Sequence, residues 1–145
     1  MATKVLDSWA LLAFFKDEPA AGEVEKIING AVTKNRKVFL SAVNWTEVIS
    51  AIDRAGGSDV AKKTAADIAQ LPIQIVGTDA DMKLCRAASK LKARYRISLG
   101  AAFAAALAQE KRADLVTGDP QFRPLASDIS IQWLDTNGTK TAAAS

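Results

Sequence analysis

The sequence predicts an α/β domain of three layers, in which helices cover both faces of a mainly parallel central sheet. Short apolar runs of strand length alternate with helical stretches from one end of the chain to the other, and this alternation is typical of a parallel sheet. Two of the runs, far apart in the chain, end in an acid, Asp7 and Asp119. Because parallel strands deliver the residues at their carboxyl ends to one edge of the sheet, where open α/β sheets bind ligands, we expect both acids at that edge.

The bounds of the elements follow from local signals at their ends. Acids and a proline at residues 17–19 favour a helix start, and Asn29-Gly30 favours its end. Residues 78–81 resemble a capping box, and Ser98 is placed to cap the last helix. The strands are predicted at residues 4–7, 37–41, 73–76, 114–117 and 129–134, and the helices at residues 8–15, 17–30, 43–55, 58–70, 78–92 and 99–110.

Composition narrows the chemistry that the chain can perform. Hydrophobic residues make up 49% and charged residues 24% of the 145 positions, as in an ordinary globular protein. The absence of histidine excludes a Ser-His-Asp triad, histidine general bases and most zinc sites. The single cysteine, Cys85, excludes an intramolecular disulfide and agrees with a reducing compartment. Catalysis would therefore depend on carboxylates, lysine, hydroxyl groups or a metal ion.

The domain organisation is simple. We predict one domain over residues 1–135, followed by a polar, alanine-rich and flexible tail over residues 136–145. The start of the chain does not resemble a signal peptide, and the most apolar stretch, residues 99–108, is too short to span a bilayer. We therefore expect a cytoplasmic protein without a membrane segment. A net charge of +3 permits a polyanionic partner without requiring one.

A third acid, Glu47, is a candidate for the same edge of the sheet. It lies about one turn into the helix after the second strand, on one stripe with Val43 and Ala51. A stripe that packs on the sheet should be apolar, so an acid there suggests a site, although an exposed glutamate on an ordinary helix is an equal alternative. Asp7 and Asp119 facing each other across a cleft would suit a hard divalent cation such as Mg²⁺ or Mn²⁺.

Four segments of the chain together carry a family resemblance. They are VLDS at 5–8 with LLAFF at 11–15, Glu47 after a serine-ended strand, ISLGAAFAAALA at 97–108, and LVTGDPQF at 115–122. In their order and spacing these segments resemble the PIN-domain ribonucleases, and more closely the VapC-type toxins of bacterial toxin–antitoxin pairs. The resemblance covers about residues 5–134. It implies a metal-dependent endoribonuclease that uses Mg²⁺ or Mn²⁺ held by a small cluster of acids.

One position departs from the family pattern. The family's Ser-Leu-x-Asp segment has an acid where this chain has Ala101. With Ser98 as cap, position 101 is the third residue of its helix, where an aspartate would stabilise the helix N-terminus and point to the same cleft. Because the neighbouring residues match, the difference indicates a point substitution that weakens or inactivates the enzyme. An engineered inactivation is our preferred interpretation, and a naturally weakened nuclease is the alternative.

The resemblance also implies roles for the remaining residues. Asp7 and Asp119 would be metal ligands, and Glu47 would hold the metal or orient its bound water. Thr117 either hydrogen-bonds a carboxylate or water, or is simply a β-branched strand residue. We expect the three acids to converge with Ala101 around one small cleft that is open to solvent. Because like charges repel, at least one carboxylate should have a raised pKa.

The partners expected are RNA, a cognate antitoxin protein and a second copy of the chain, the last two implied by the resemblance alone. A basic stretch precedes Ser98, and we select Arg94 and Arg96 in it as RNA-binding residues, although a solvated helix face is the alternative. A non-catalytic PIN-like module that binds RNA or a protein remains the rival to the nuclease hypothesis. The stretch consists of Lys83, Arg86, Lys90, Lys92, Arg94 and Arg96.

Overall fold

A computed structural model describes residues 3–136 and contains a five-stranded sheet in the order β3-β2-β1-β4-β5. Every neighbouring pair of strands is parallel, so the prediction of a mainly parallel sheet is confirmed. All of the predicted tail except its first residue lies outside the described residues. The strands are β1 (Lys4–Leu6), β2 (Val38–Ser41), β3 (Gln74–Val76), β4 (Asp114–Thr117) and β5 (Ile131–Trp133).

All six predicted helices are present. A short 3₁₀ helix, Pro120–Leu125, follows β4 and was not predicted, because its two prolines and its length give no helical periodicity. The α-helices are α1 (Ser8–Phe15), α2 (Ala21–Thr33), α3 (Ala42–Gly56), α4 (Ser58–Gln70), α5 (Lys83–Arg94) and α6 (Leu99–Lys111).

Alternation of side chains along the strands produces two cores, one on each face of the sheet. Val5 and Leu115 belong to the core formed with α5 and α6. Leu6 and Val116, their neighbours in sequence, belong to the core formed with α1 to α4. The three-layer α/β/α architecture predicted from the sequence is therefore confirmed.

The alanine-rich helix α6 packs directly on the sheet. Every residue from Gly100 to Ala108 is buried, and the helix contacts β1, β2 and β4. The small side chains of α6 allow its backbone to approach the strands closely. Because the helix is buried on all sides over this stretch, it needs no polar face. Within residues 3–136, no helix combines the length and the apolar character needed to cross a membrane.

Three predicted helix ends were wrong by three residues or more, whereas α1 and α4 have the predicted bounds. Helix α2 begins at Ala21 and continues through Asn29-Gly30 to Thr33, because burial of its apolar face, Gly30 included, overrides the local stop signal. Residues 78–81 form no capping box: α5 begins at Lys83, after Met82 in the left-handed conformation (φ 61°). Ser98 does cap α6, since its Oγ accepts a hydrogen bond from the backbone N–H of Ala101 at 3.2 Å.

Candidate active site

Asp7 lies directly after β1 at the carboxyl edge of the sheet. It caps α1, and its Oδ1 accepts a hydrogen bond from the backbone N–H of Ala10 at 2.8 Å. Its Oδ2 accepts a second hydrogen bond from the Thr117 hydroxyl at 2.5 Å. The residue is only 3% exposed, so the carboxylate is held from two sides and shielded from water.

Thr117 connects Asp7 to Asp119. While its hydroxyl donates to Asp7, the same oxygen accepts a hydrogen bond from the backbone N–H of Asp119 at 3.0 Å. The structure therefore supports the polar interpretation of Thr117 over that of a plain strand residue. Asp7 and Asp119, distant in sequence, lie on either side of one hydroxyl group at the same edge of the sheet, as predicted.

Gln121 holds the Asp119 carboxylate. The backbone N–H of Gln121 donates to Oδ1 of Asp119 at 3.0 Å, and its side-chain Nε2 donates to Oδ2 at 2.7 Å. The side-chain Oε1 of Gln121 accepts a hydrogen bond from the backbone N–H of Ser98 at 2.7 Å. Gln121 thus ties the loop after β4 to the start of α6.

Glu47 contacts the first turn of α6. Asn44, one turn earlier on α3, donates from Nδ2 both to Oε1 of Glu47 and to the carbonyl oxygen of Gly100, each at 3.0 Å. A Cβ atom on Gly100 would lie 2.1 Å from Oε1 of Glu47, so this seat for the carboxylate exists only because position 100 is glycine. Glu47 is therefore not a freely exposed glutamate on an ordinary helix.

The three acids influence one another electrostatically. The pKa of Asp7 is raised from 3.8 to about 7, mainly because burial disfavours the charged form. The hydrogen bonds from Thr117 and Ala10 oppose this rise, and the negative charges of Asp119 and Glu47 add to it. A raised pKa was predicted from repulsion among the acids, but burial is the larger cause.

The site differs from the open cleft predicted from the sequence. Asp7 is buried, and only Glu47 and Asp119 are partly exposed. Ala101, 5% exposed, follows Gly100 and contributes a methyl group to the core where an acid was expected. Carboxylate oxygens suit a hard cation such as Mg²⁺. Yet nowhere in residues 3–136 do three acid, cysteine or histidine side chains lie in position to share one metal ion.

The RNA-binding candidates Arg94 and Arg96 are exposed, at the end of α5 and in the loop before α6. Between them, the Tyr95 hydroxyl donates a hydrogen bond to Asp128, in the loop before β5. The basic loop is therefore fixed against the segment that follows Asp119. Residues 82–109 contain six cationic and no acidic side chains, whereas the rest of the chain has 13 cationic and 16 acidic ones.

Sequence reasoning missed three residues that position the acids: Asn44, Gln121 and Gly100. Asn44 has a detectable signal, since i, i+3 spacing places it beside Glu47 on a helix surface. Gln121 and Gly100 have none that is specific, because both act through loop and backbone contacts made only in the folded chain.

Known proteins share the fold of this chain. A family model described as PIN domain matches residues 4–127. A toxin–antitoxin complex from Klebsiella pneumoniae has a TM-score of 0.61 at 17% identity, covering 95% of this chain and 96% of that one. VapBC2 from Rickettsia felis, bound to a promoter DNA fragment, has a TM-score of 0.69 at 14% identity, with 92% and 99% covered. VapC20 from Mycobacterium tuberculosis, a Sarcin-Ricin loop cleaving toxin, has a TM-score of 0.66 at 18% identity, with 87% and 95% covered.

The sequence identities to these structures are low, so the structural neighbours establish the fold alone. Among curated proteins, no sequence matches this chain. The family model, in contrast, covers most of the chain, from β1 to the segment after the 3₁₀ helix. The chain belongs to the PIN-domain family.

Proposed function

We propose that this chain is a VapC-type toxin, an endoribonuclease that depends on Mg²⁺ or Mn²⁺ and is weakened or inactivated by Ala101. The observation that carries the proposal is the buried carboxylate of Asp7, which shares a hydroxyl partner with Asp119 and is acted on by the charges of Asp119 and Glu47. Carboxylates gathered at the carboxyl edge of a parallel sheet are suited to binding a cation at a ligand cleft.

The metal would be held by Asp7 and Asp119, and Glu47 would orient its bound water, because the three acids do not lie in position within residues 3–136 to share one ion directly. When bound, a divalent cation lowers the pKa of its water and stabilises the leaving oxygen of a phosphodiester. The chain's own residues orient these ligands: Thr117 holds Asp7, Gln121 holds Asp119, and Asn44 holds Glu47. Hydrogen bonds of this kind to metal-binding carboxylates fix their direction.

RNA would approach across the basic segment, with Arg94 and Arg96 contacting phosphates. Cations on a surface attract a polyanion in a salt-dependent way, and the Tyr95–Asp128 hydrogen bond keeps this loop beside the chain that follows Asp119. None of the carboxylates in residues 3–136 forms an ion pair with Arg94 or Arg96. Arg96 therefore remains available to phosphate, and among the described residues Arg94 interacts only with the neighbouring Tyr95 hydroxyl.

The proposed protein partners are an antitoxin that blocks the acidic cleft and a second copy of the chain. Several solved structures of similar fold are toxin–antitoxin complexes, which supports the first partner. The homodimer rests on family resemblance. We also propose the cytoplasm as the location, as expected for an RNA-cleaving toxin.

The test is Ala101→Asp, with Ala101→Asn as the matched control of equal size and no charge. Only the aspartate variant should gain cleavage of cellular RNA in Mg²⁺ or Mn²⁺, because only it restores a fourth negative ligand. Asp7→Asn in the aspartate variant should abolish the gain. Continued inertness of Ala101→Asp in both metals contradicts the nuclease proposal.

A second function is favoured by Ala101 itself. A PIN-like module without catalytic activity would bind RNA or a protein and have no need of the missing acid. This alternative predicts that Ala101→Asp remains inert while binding to RNA or a partner is retained. The same experiment therefore separates the two functions.

A further inference from the structure

One cavity adjoins the loop that carries Asp119. It has a volume of about 440 Å³, within the range of small-ligand sites. Gly118 and Pro120, which flank Asp119 in sequence, both line it, together with Arg123, Trp133 and Leu134. A group bound there would lie next to the Asp119 loop.

Trp133 provides an aromatic wall. It is the last residue of β5, at the edge of the sheet, and pairs in register with Thr117, the residue that connects Asp7 and Asp119. It is half-buried, packing against the core below α6 while also lining the cavity. An indole held by a strand is a preorganised stacking surface.

Gly118 and Leu134 form the floor of the cavity. Gly118 has no side chain, and a Cβ atom there would lie 2.3 Å from the ring of Trp9. The Trp9 ring therefore packs closely against the backbone of Gly118. Leu134, 5% exposed, completes an apolar base.

Arg123 supplies a positive charge at the same cavity. It is exposed and forms no ion pair with the carboxylates of residues 3–136. Among the described residues that line the cavity, none is acidic. An aromatic wall, an apolar floor and a free guanidinium group suit a flat aromatic ring attached to a phosphate.

We propose that this cavity is a nucleobase subsite, which receives the base of the nucleotide next to the phosphodiester at the acidic site. The inference rests on the proposed ribonuclease function and adds a contact that reads bases to it. Single-stranded RNA is bound largely through stacking of bases on aromatic side chains. Trp133 would stack on the base, and Arg123 would contact the adjoining phosphate.

The test compares two ligands of equal charge, a single-stranded RNA decanucleotide and the same backbone without bases. Their affinities are measured by fluorescence anisotropy at fixed ionic strength, with the chain carrying Ala101 so that the RNA is not consumed. The parent should prefer the strand with bases by about 5- to 150-fold, the range that corresponds to about 1–3 kcal/mol for one stacked base. Trp133→Ala should remove most of this preference, and Trp133→Phe should retain it.

Trp45→Ala is the matched control, since Trp45 is also half-buried but lies on α3, lining a different cavity. It should leave the preference for bases unchanged. Equal affinity of the parent for both strands overturns the subsite but leaves the RNA-binding proposal intact. A preference for bases that survives in Trp133→Ala has the same consequence. Failure of the parent to bind either strand overturns the RNA substrate and the subsite together. The parent comparison needs no variant, so misfolding of Trp133→Ala does not decide the result.

Discussion

Strands β1 and β4 place one buried carboxylate at each end, and the two carboxylates have opposite environments. We call the two ends of the strands the amino edge and the carboxyl edge of the sheet. At the amino edge, Lys4 of β1 pairs in register with Asp114 of β4, and Lys4 Nζ lies 2.9 Å from Asp114 Oδ2. At the carboxyl edge, Asp7 follows β1 and receives hydrogen bonds from Thr117 and Ala10. Among the described residues, no lysine or arginine forms an ion pair with Asp7.

The pKa values of the two acids diverge accordingly. Although burial alone would raise it, hydrogen bonds from Ser130 and Lys4, together with the charge of Lys4, hold the pKa of Asp114 well below its usual range. The pKa of Asp7 rises to about 7. The amino edge compensates its charge within the chain and contributes to stability. The carboxyl edge offers Asp7 no lysine or arginine from the described residues, an arrangement that fits the proposed cation site.

Asp7→Asn should produce the largest change in the free energy of unfolding, and this change depends on pH. Between pH 4 and 7 the folded chain holds a proton on Asp7 that the unfolded chain has lost, so stability should fall as pH rises through this window. The asparagine side chain of the variant does not ionise, so its stability lacks this dependence on pH. At pH 8 without metal it should be more stable than the parent by up to about 4 kcal/mol, because one pKa unit corresponds to about 1.4 kcal/mol.

Urea unfolding of both forms in EDTA, from pH 4 to pH 8, measures this difference. The advantage of Asp7→Asn should be absent at pH 4 and grow towards pH 8. Two pH profiles that run parallel would show that Asp7 is ionised at little cost, and the contrast between the two edges would disappear.

Lys4→Met should have the next largest effect. Removing the cation weakens the compensation of the Asp114 charge, which should cost about 2–3 kcal/mol, below the usual cost for a buried pair, because Ser130 still donates a hydrogen bond and Asp114 keeps a further interaction. Lys63→Met is the matched control, since the Lys63–Asp67 pair has a similar length, 3.0 Å, but is exposed. The control should cost less than about 1 kcal/mol.

Urea unfolding at pH 7 measures both variants. Similar losses from Lys4→Met and Lys63→Met would mean that the amino edge does not depend on its buried ion pair. Replacing both partners, Lys4→Met with Asp114→Leu, should recover part of the loss, because the carboxylate that lost its Lys4 partner is then removed as well.

Gly100→Ala tests the seat of Glu47 at the carboxyl edge. The added methyl group would meet the Glu47 carboxylate at 2.1 Å, and displacing this end of the side chain from its Asn44 hydrogen bond should cost about 1–2 kcal/mol. Gly22→Ala is the matched control: Gly22 is also the second residue of its helix, but its Cβ would meet nothing within 4 Å. The control should stabilise the chain by about 0.4–1 kcal/mol.

Thermal melting of the two glycine variants measures the difference. Stabilisation of the chain by both substitutions would show that Glu47 moves aside freely and is not held against α6. In the Ala101→Asp background, Gly100→Ala should also lower any RNA cleavage, whereas Gly22→Ala should not.

Sequence patterns predicted the part of the structure that follows from repetition. Strand–helix alternation predicted the three layers. The position of Asp7 and Asp119 after two apolar runs predicted that both lie at one edge of the sheet. The burial of Asp7 could not be predicted, because it depends on how α1 and β4 pack around that carboxylate. The Lys4–Asp114 pair was missed for a similar reason: it joins residues 110 positions apart and needs the register of β1 on β4.

The smallest predicted effect concerns the metal at the carboxyl edge. Ala101 removes one negative charge from the expected ligand set, which weakens cation binding but also relieves repulsion on Asp7. Without Mg²⁺, the parent should therefore melt at the same temperature as Ala101→Asp or higher. With Mg²⁺ at ten times its Kd, the variant should gain about 1.4 kcal/mol, because the ion binds only the folded state. Thermal melting of both forms, with and without Mg²⁺, measures this gain. If the parent gains as much as the variant, position 101 does not belong to the metal site, and the contrast between the edges has another cause.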